Sequence, residues 1–337
     1  MDLSRKERDN ILRWDGLAKG FFEVYYLKWN DEPSRTAGWV RYTLTSPKKN
    51  VGKPYCELWG IFFDAENPKN NYAVKRRFPI YDLAWETRKF MVRIAGAELN
   101  MDRCFADVTD PKTGHSLAWD FRIRSGSDTY RYFPSEFFYS GPFPKTKVLS
   151  PHMDARFNGR VVVDGRQIDV CDAPGQQIHL WGARYAQRWA RGHCNTFSED
   201  PCAVWEGLDT QIRMGPVKSP HLKLFYLKFD GRSHFFNSPA YWFKNKSRWE
   251  LGRWEFEFAD REVRVMGVVN CEYDEIVAVT YTDPDGKKLW CNNSKVASIS
   301  MKIFNPSGTL IGTLSSDHGS AAEFVDRIIF PQVLVRI

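Results

Sequence analysis

Trp254, Phe256 and Phe258 alternate with Glu255 and Glu257, so an extended chain carries three large rings on one side and two carboxylates on the other. A period of two belongs to a half-buried strand and argues against an amphipathic helix over the same residues. The idiom recurs. Residues 21–29 form an aromatic run too short for a long helix, residues 39–44 alternate large and polar side chains, and residues 55–63 continue the pattern. Aromatic residues make up 15% of the chain (24 Phe, 14 Tyr and 13 Trp). Side chains of that size favour β architecture and sites for flat or oily ligands.

Turn chemistry punctuates the C-terminal third. Residues 276–282 read as a strand, and Asp283-Pro284-Asp285-Gly286 as a turn, with Pro setting φ and Gly supplying a positive one. Residues 298–304 follow, then Asn305-Pro306-Ser307-Gly308 turns the chain again into 309–314. Helical periodicity is confined to residues 3–13 and 320–328. At roughly 150 residues per domain, 337 residues suggest two domains. Proline interrupts the strand rhythm at Pro142, Pro144 and Pro151, which places the boundary at 150/151. The expected fold is all-β: two lipocalin-like antiparallel β-barrel or sandwich domains packed side by side, residues 1–150 and 151–337.

The 48 Lys and Arg residues against 41 Asp and Glu give a formal charge of +7, with only short basic runs such as Lys75-Arg76-Arg77. Nucleic-acid binding calls for a basic stripe interleaved with stacking aromatics, and none is present, so nucleic acid is not an expected partner. The charge is compatible with weak peripheral contact with an anionic membrane. Seven cysteines without a C-x-x-C pair read as reduced, mostly buried thiols. Residues 1–30 hold no apolar signal core, and no window is long enough to span a membrane, so the expected location is cytoplasmic. Phosphate-binding glycine loops are absent. His179 and His193 do not have metal-ligand spacing, so no metal site is expected.

The most informative segment runs from Asp172 to Phe197. If residues 189–197 form a strand, Trp189, Arg191, His193, Asn195 and Phe197 share one face, opposite the small residues Ala190, Gly192, Cys194, Thr196 and Ser198. The small face must pack closely against a neighbour. The broad face either meets water or lines a hollow, with His193 and Asn195 offering polar groups between Trp181 and Trp189.

Trp181-Gly182, Trp189, His193-Cys194-Asn195 and Phe197 resemble the W-G…K-W…Q-C-N-x-F signature of the tocopherol cyclase-like, carotenoid 1,2-hydratase-like and AttH-like proteins. Supporting pieces occur in order: Lys19-Gly20-Phe21-Phe22-Glu23-Val24, Trp249-Glu250, and Cys291-Asn292-Asn293-Ser294-Lys295. The chain departs from the cyclase signature at His193, where the cyclase has Gln, and at residues 183–185, which replace a Gly-rich stretch. The resemblance implies two lipocalin-like domains with a site for a hydrophobic isoprenoid- or polyketide-like molecule in or between them. It also implies cofactor-independent acid–base chemistry, in which a double bond is protonated and a hydroxyl or water adds. Such chemistry needs a proton donor, aromatic faces for developing charge and exclusion of water. His193 and Asp172 are the candidate catalytic groups. Trp181, Trp189, Asn195, His179 and Arg188 are the candidate ligand contacts, with Arg188 also able to pair with Asp172. The competing expectations are a non-catalytic lipid or isoprenoid carrier and a Trp-rich carbohydrate-binding module, the latter requiring exposed, coplanar Trp residues.

Overall fold

The strand Phe21–Asp31 is buried on both faces, because a different core lies on each side of it. Tyr25, Leu27 and Trp29 point into the interior of a first barrel, while Phe22, Val24 and Tyr26 point into a layer shared with the C-terminal half of the chain. A third core, around Trp205, Trp254 and Phe256, fills a second barrel. The computed structural model describes residues 3–126, 129–214 and 217–337.

Nearly all of the structure is β, in two large antiparallel sheets, the first an almost closed barrel. The first sheet runs from the edge strand Tyr72–Pro79 through Tyr55–Asp64, Thr36–Ser46 and Phe21–Asp31. It continues through Arg166–Gly182 and Thr146–Val163 to a second meander ending at Leu83–Trp85. The second sheet repeats this path: Arg232–Phe236, Leu222–Phe229, Val204–Gln211, Arg188–Cys194, then Leu310–Asp326 and Lys288–Phe304, ending at Lys246–Glu250. In each sheet the last strand returns to pair with the first, and one short strand, Tyr130–Arg131 or Val277–Thr282, pairs off the path with the penultimate strand. The two halves therefore share one topology.

Trp254, Phe256 and Phe258 all point into the second barrel, and the turns at 283–286 and 305–308 place Gly286 and Gly308 at positive φ, as their sequences predict. Other details differ. Residues 150 and 151 lie inside the strand Thr146–Val163, and the chain passes between sheets only after Gly182, entering the second at Arg188. Residues 320–326 belong to a strand, not a helix, hydrogen-bonded to Arg188–Cys194 on one side and Lys288–Phe304 on the other. The N-terminal helix is limited to Arg5–Asn10, started by a Ser4–Glu7 capping box. All seven cysteines are unpaired, five of them buried. Among the described residues no helix is long and apolar enough to cross a membrane.

The small face of Arg188–Cys194 packs as its sequence demands. A Cβ on Gly192 would sit 2.6 Å from the Trp205 ring and 3.0 Å from the Ala321 carbonyl oxygen. Gly192→Ala is therefore expected to cost about 1–3 kcal/mol of stability by overpacking, read as a lower urea midpoint at unchanged slope.

Candidate functional site

Ala190 and Cys194 belong to the core of the second barrel, so alternation turns Trp189, Arg191 and His193 toward the first sheet. All three enter the layer between the barrels, where they separate into two environments.

His193 and Asn195 lie in a filled polar region. His193 is fully buried and its Nε2 donates to the Met153 carbonyl at 2.8 Å, while Nδ1 has no partner. Burial, reinforced by Lys28 and Arg191, holds the imidazole pKa well below its usual value, so the ring is neutral. Asn195 donates to Asp154 Oδ1 at 3.0 Å and to the Gly175 carbonyl at 3.2 Å.

His179 and Trp181 sit at one end of the first barrel, under the N-terminal segment. His179 Nδ1 faces the Asp9 carbonyl and Nε2 faces Glu23 Oε1, both at 2.8 Å, so a proton must lie between the ring and Glu23. Burial lowers the His179 pKa and Glu23 opposes it. Trp181 packs against His179 and under the Arg13 guanidinium.

Asp172 is at the surface. Its backbone is left-handed (φ 50°), its side chain is half exposed, and it pairs with Arg124 at 2.7 Å. A solvated, ion-paired carboxylate outside any enclosed site has no route to a buried substrate, which removes the geometric basis for Asp172 as a proton donor. Arg188 pairs with Asp326 at 3.3 Å and stacks over Trp249, within the second sheet and away from Asp172. Of the seven candidate residues, only Trp189 lines the enclosed space described next.

Between the two sheets lies a cavity of about 400 Å³. Its walls are apolar: Val24, Ile178 and Leu180 come from the first sheet, and Trp189, Leu208 and Leu222 from the second. Exposed Phe143, Lys145 and Arg213 mark the open end. The deep end is formed by buried Tyr26, Arg41, Arg191, Tyr281 and Glu323. Tyr26 and Arg41 are register partners on neighbouring strands and so present their side chains together. The Arg191 guanidinium lies 5.2 Å from the centre of the Tyr26 ring.

Arg191 is anchored by Glu206, Gln176 and Tyr132, the last of which also lines the cavity. Its Nη2 is 3.0 Å from Glu206 and 2.7 Å from Gln176 Oε1, and its Nε donates to the Tyr132 hydroxyl at 3.0 Å. Glu323 lies 3.6 Å from Arg191 and 3.1 Å from Lys295. Burial works to raise the Glu323 pKa, but Lys295 and Arg191 outweigh it and keep the carboxyl below its usual range, so it is ionised. Burial pushes the Tyr26 hydroxyl well above its usual pKa, so it remains a donor.

Sequence alone does not single out Tyr26, Arg41 and Glu323, and it places Arg191 only on the broad face of its strand, although a signal exists. Each charge interrupts a buried strand, as in Trp39-Val40-Arg41-Tyr42 and Ala321-Ala322-Glu323-Phe324. A charge kept inside such a run is held by a specific partner or serves a site.

No family model matches the chain. An uncharacterized protein of Mycobacterium tuberculosis is 26% identical over 314 residues, which cover 91% of this chain and 88% of that protein. Among solved structures, an AttH-like protein of Nitrosomonas europaea aligns with a TM-score of 0.58 at 10% identity, over 95% of this chain and 98% of that one. Kievitone hydratase from Nectria haematococca aligns with a TM-score of 0.51 at 7% identity, over 90% and 88%. CghA in complex with Sch210972 aligns with a TM-score of 0.50 at 9% identity, over 91% and 88%. The chain has the fold of the AttH-like protein and kievitone hydratase. Its likeness to tocopherol cyclase rests on the sequence motif alone.

Proposed function

We propose that the protein takes a hydrophobic isoprenoid- or polyketide-like molecule into the cavity between its sheets and cyclises it or adds water to it by acid–base chemistry. The observation that carries this reading is the cavity itself: apolar along its walls, set between both barrels, with buried polar groups at its deep end and exposed charged side chains at its mouth. That division suits a ligand whose body is oily and whose reacting end is polar. The fold-level neighbours add support, one being named a hydratase and another having been crystallised with the small molecule Sch210972.

The polar groups favour one kind of charge. Two guanidiniums that line the same end of the cavity as Tyr26 stabilise a developing oxyanion and disfavour a carbocation close to them. Glu323 is the ionised group positioned to accept a proton, and Tyr26 the hydroxyl positioned to donate one to an oxygen. A simple carrier has no need of an ionised carboxylate in its ligand site, which favours catalysis. A carbohydrate-binding face needs exposed indoles, and none of the 13 Trp residues is exposed.

Native mass spectrometry of the protein purified from its own host is expected to show a co-purifying apolar molecule. Leu208→Trp, which fills the cavity from one wall, is expected to abolish that mass while far-UV circular dichroism stays unchanged. Protein free of any apolar molecule, or a bound mass that survives Leu208→Trp, would overturn the reading.

A further inference from the structure

We infer that the ligand carries an acidic oxygen at one end, a carboxylate, phenolate or enolate, and that this end docks between Arg41 and Arg191. The inference rests on the cavity being a ligand site and specifies what that ligand must be.

Arg41 is 3% exposed and lines the cavity. Its guanidinium donates to the Tyr185 hydroxyl and lies 4.3 Å from the Tyr281 ring and 5.1 Å from the Trp59 ring. Its Nε has no hydrogen-bond partner, and among the described residues no carboxylate is within ion-pair distance of it. Glu57 and Glu323 are the acids whose charges bear on it, but Glu57 is occupied by Arg77 at 2.8 Å and by the Trp59 indole nitrogen at 3.2 Å, and Glu323 by Lys295 at 3.1 Å. A buried guanidinium supported only by rings and a hydroxyl lacks a counter-ion, a costly arrangement unless one arrives with the ligand.

Two further donors converge on the same place. The Tyr26 hydroxyl, register partner to Arg41, is buried without a hydrogen bond, and Arg191 Nη1 has no hydrogen-bond partner, Glu323 lying 3.6 Å away. Two planar forks and a hydroxyl donor lining one cavity can receive a flat, delocalised anion.

A matched pair of probes tests this. Dodecanoate and 1-dodecanol have the same chain and differ at the head group. By calorimetry at pH 8, dodecanoate is expected to bind about ten to a hundred times more tightly, the range for charge-assisted hydrogen bonds in a buried site. In Arg41→Met the acid should fall to the level of the alcohol, and Tyr26→Phe should narrow the gap while leaving the packing intact. Equal binding of acid and alcohol by the unaltered protein overturns the inference and leaves the cavity as a hydrophobic site. An acid preference that persists in Arg41→Met also overturns it, placing the anion at the mouth near Lys145 and Arg213. Binding of neither probe overturns both this inference and the function on which it rests. The comparison in the unaltered protein stands even if Arg41→Met fails to fold.

Discussion

Glu206→Ala should lower the stability of the protein by about 3–5 kcal/mol, measured as a shift in the urea unfolding transition. Glu206 is fully buried and takes hydrogen bonds from Tyr132, Gln176 and Arg191. Tyr132 and Gln176 belong to the N-terminal half, whereas Arg191 and Glu206 sit on adjacent strands of the second sheet. This one carboxylate therefore ties the barrels together. Truncating it leaves the buried Arg191 guanidinium with Glu323, at 3.6 Å, as its one remaining carboxylate and removes the acceptor of the Tyr132 hydroxyl proton. The magnitude is that of breaking a buried pair, which differs from what the pair contributes relative to an apolar core. The double variant Glu206→Leu with Arg191→Met should accordingly recover most of the loss, because no uncompensated charge remains. A loss below about 1 kcal/mol for Glu206→Ala would mean that water reaches the site and that this carboxylate does not hold the two halves together.

The same residues show how far local sequence reaches. Period-two alternation at 254–258 and the two Pro-Gly turns are properties of a few consecutive residues, and they are legible because nothing distant can alter them. The two faces of Arg188–Cys194 are legible for the same reason: the small side packs on Trp205 and the broad side turns inward. What alternation leaves open is where along the inward face empty space remains. That depends on the register Tyr26↔Arg41 and on the fit between sheets that are remote in sequence. His193 and Asn195 fall where the Met153 and Gly175 carbonyls fill the gap, and Trp189 and Arg191 where the cavity lies. Residues 320–326 hide their strand character because neighbours on both sides and burial on both faces erase the period of two. Pro151, read as a linker residue, sits at a register shift between Leu149 and His152, a bulge that tolerates proline inside a strand.

Lys28→Met should stabilise the protein at pH 7, and the advantage should shrink as pH rises. Lys28 is fully buried on the inward face of Phe21–Asp31, with one hydrogen bond, 2.8 Å to Asn30 Oδ1. Burial, the largest influence, together with Lys295 and Arg191, pushes the ammonium pKa down to about 7, while Cys194 and Glu206 only partly oppose it. The unfolded chain titrates near 10.4. Above that value both states hold a neutral amine and the residue costs nothing. As pH falls from about 10.4 toward 7, the unfolded chain binds a proton that the folded one refuses, so stability drops across this window. The accumulated cost is about 4 kcal/mol at pH 7 and about 1 kcal/mol at pH 9.5. Met removes it but leaves the Asn30 oxygen unsatisfied, at about 1–3 kcal/mol. The stability difference between Lys28→Met and the unaltered protein should therefore favour the variant at pH 7 and change by about 3 kcal/mol by pH 9.5. Buried thiols such as Cys56 and Cys291, pushed up to about 12, destabilise the fold as pH rises because the unfolded thiols ionise first. That effect is common to both proteins and cancels in the difference. A pH-independent difference would show that Lys28 titrates normally. Part of the depression comes from Lys295 and Arg191, so beyond its burial Lys28 reports a positive field in this layer, and a positive field in an apolar cleft is what an anionic reacting end requires.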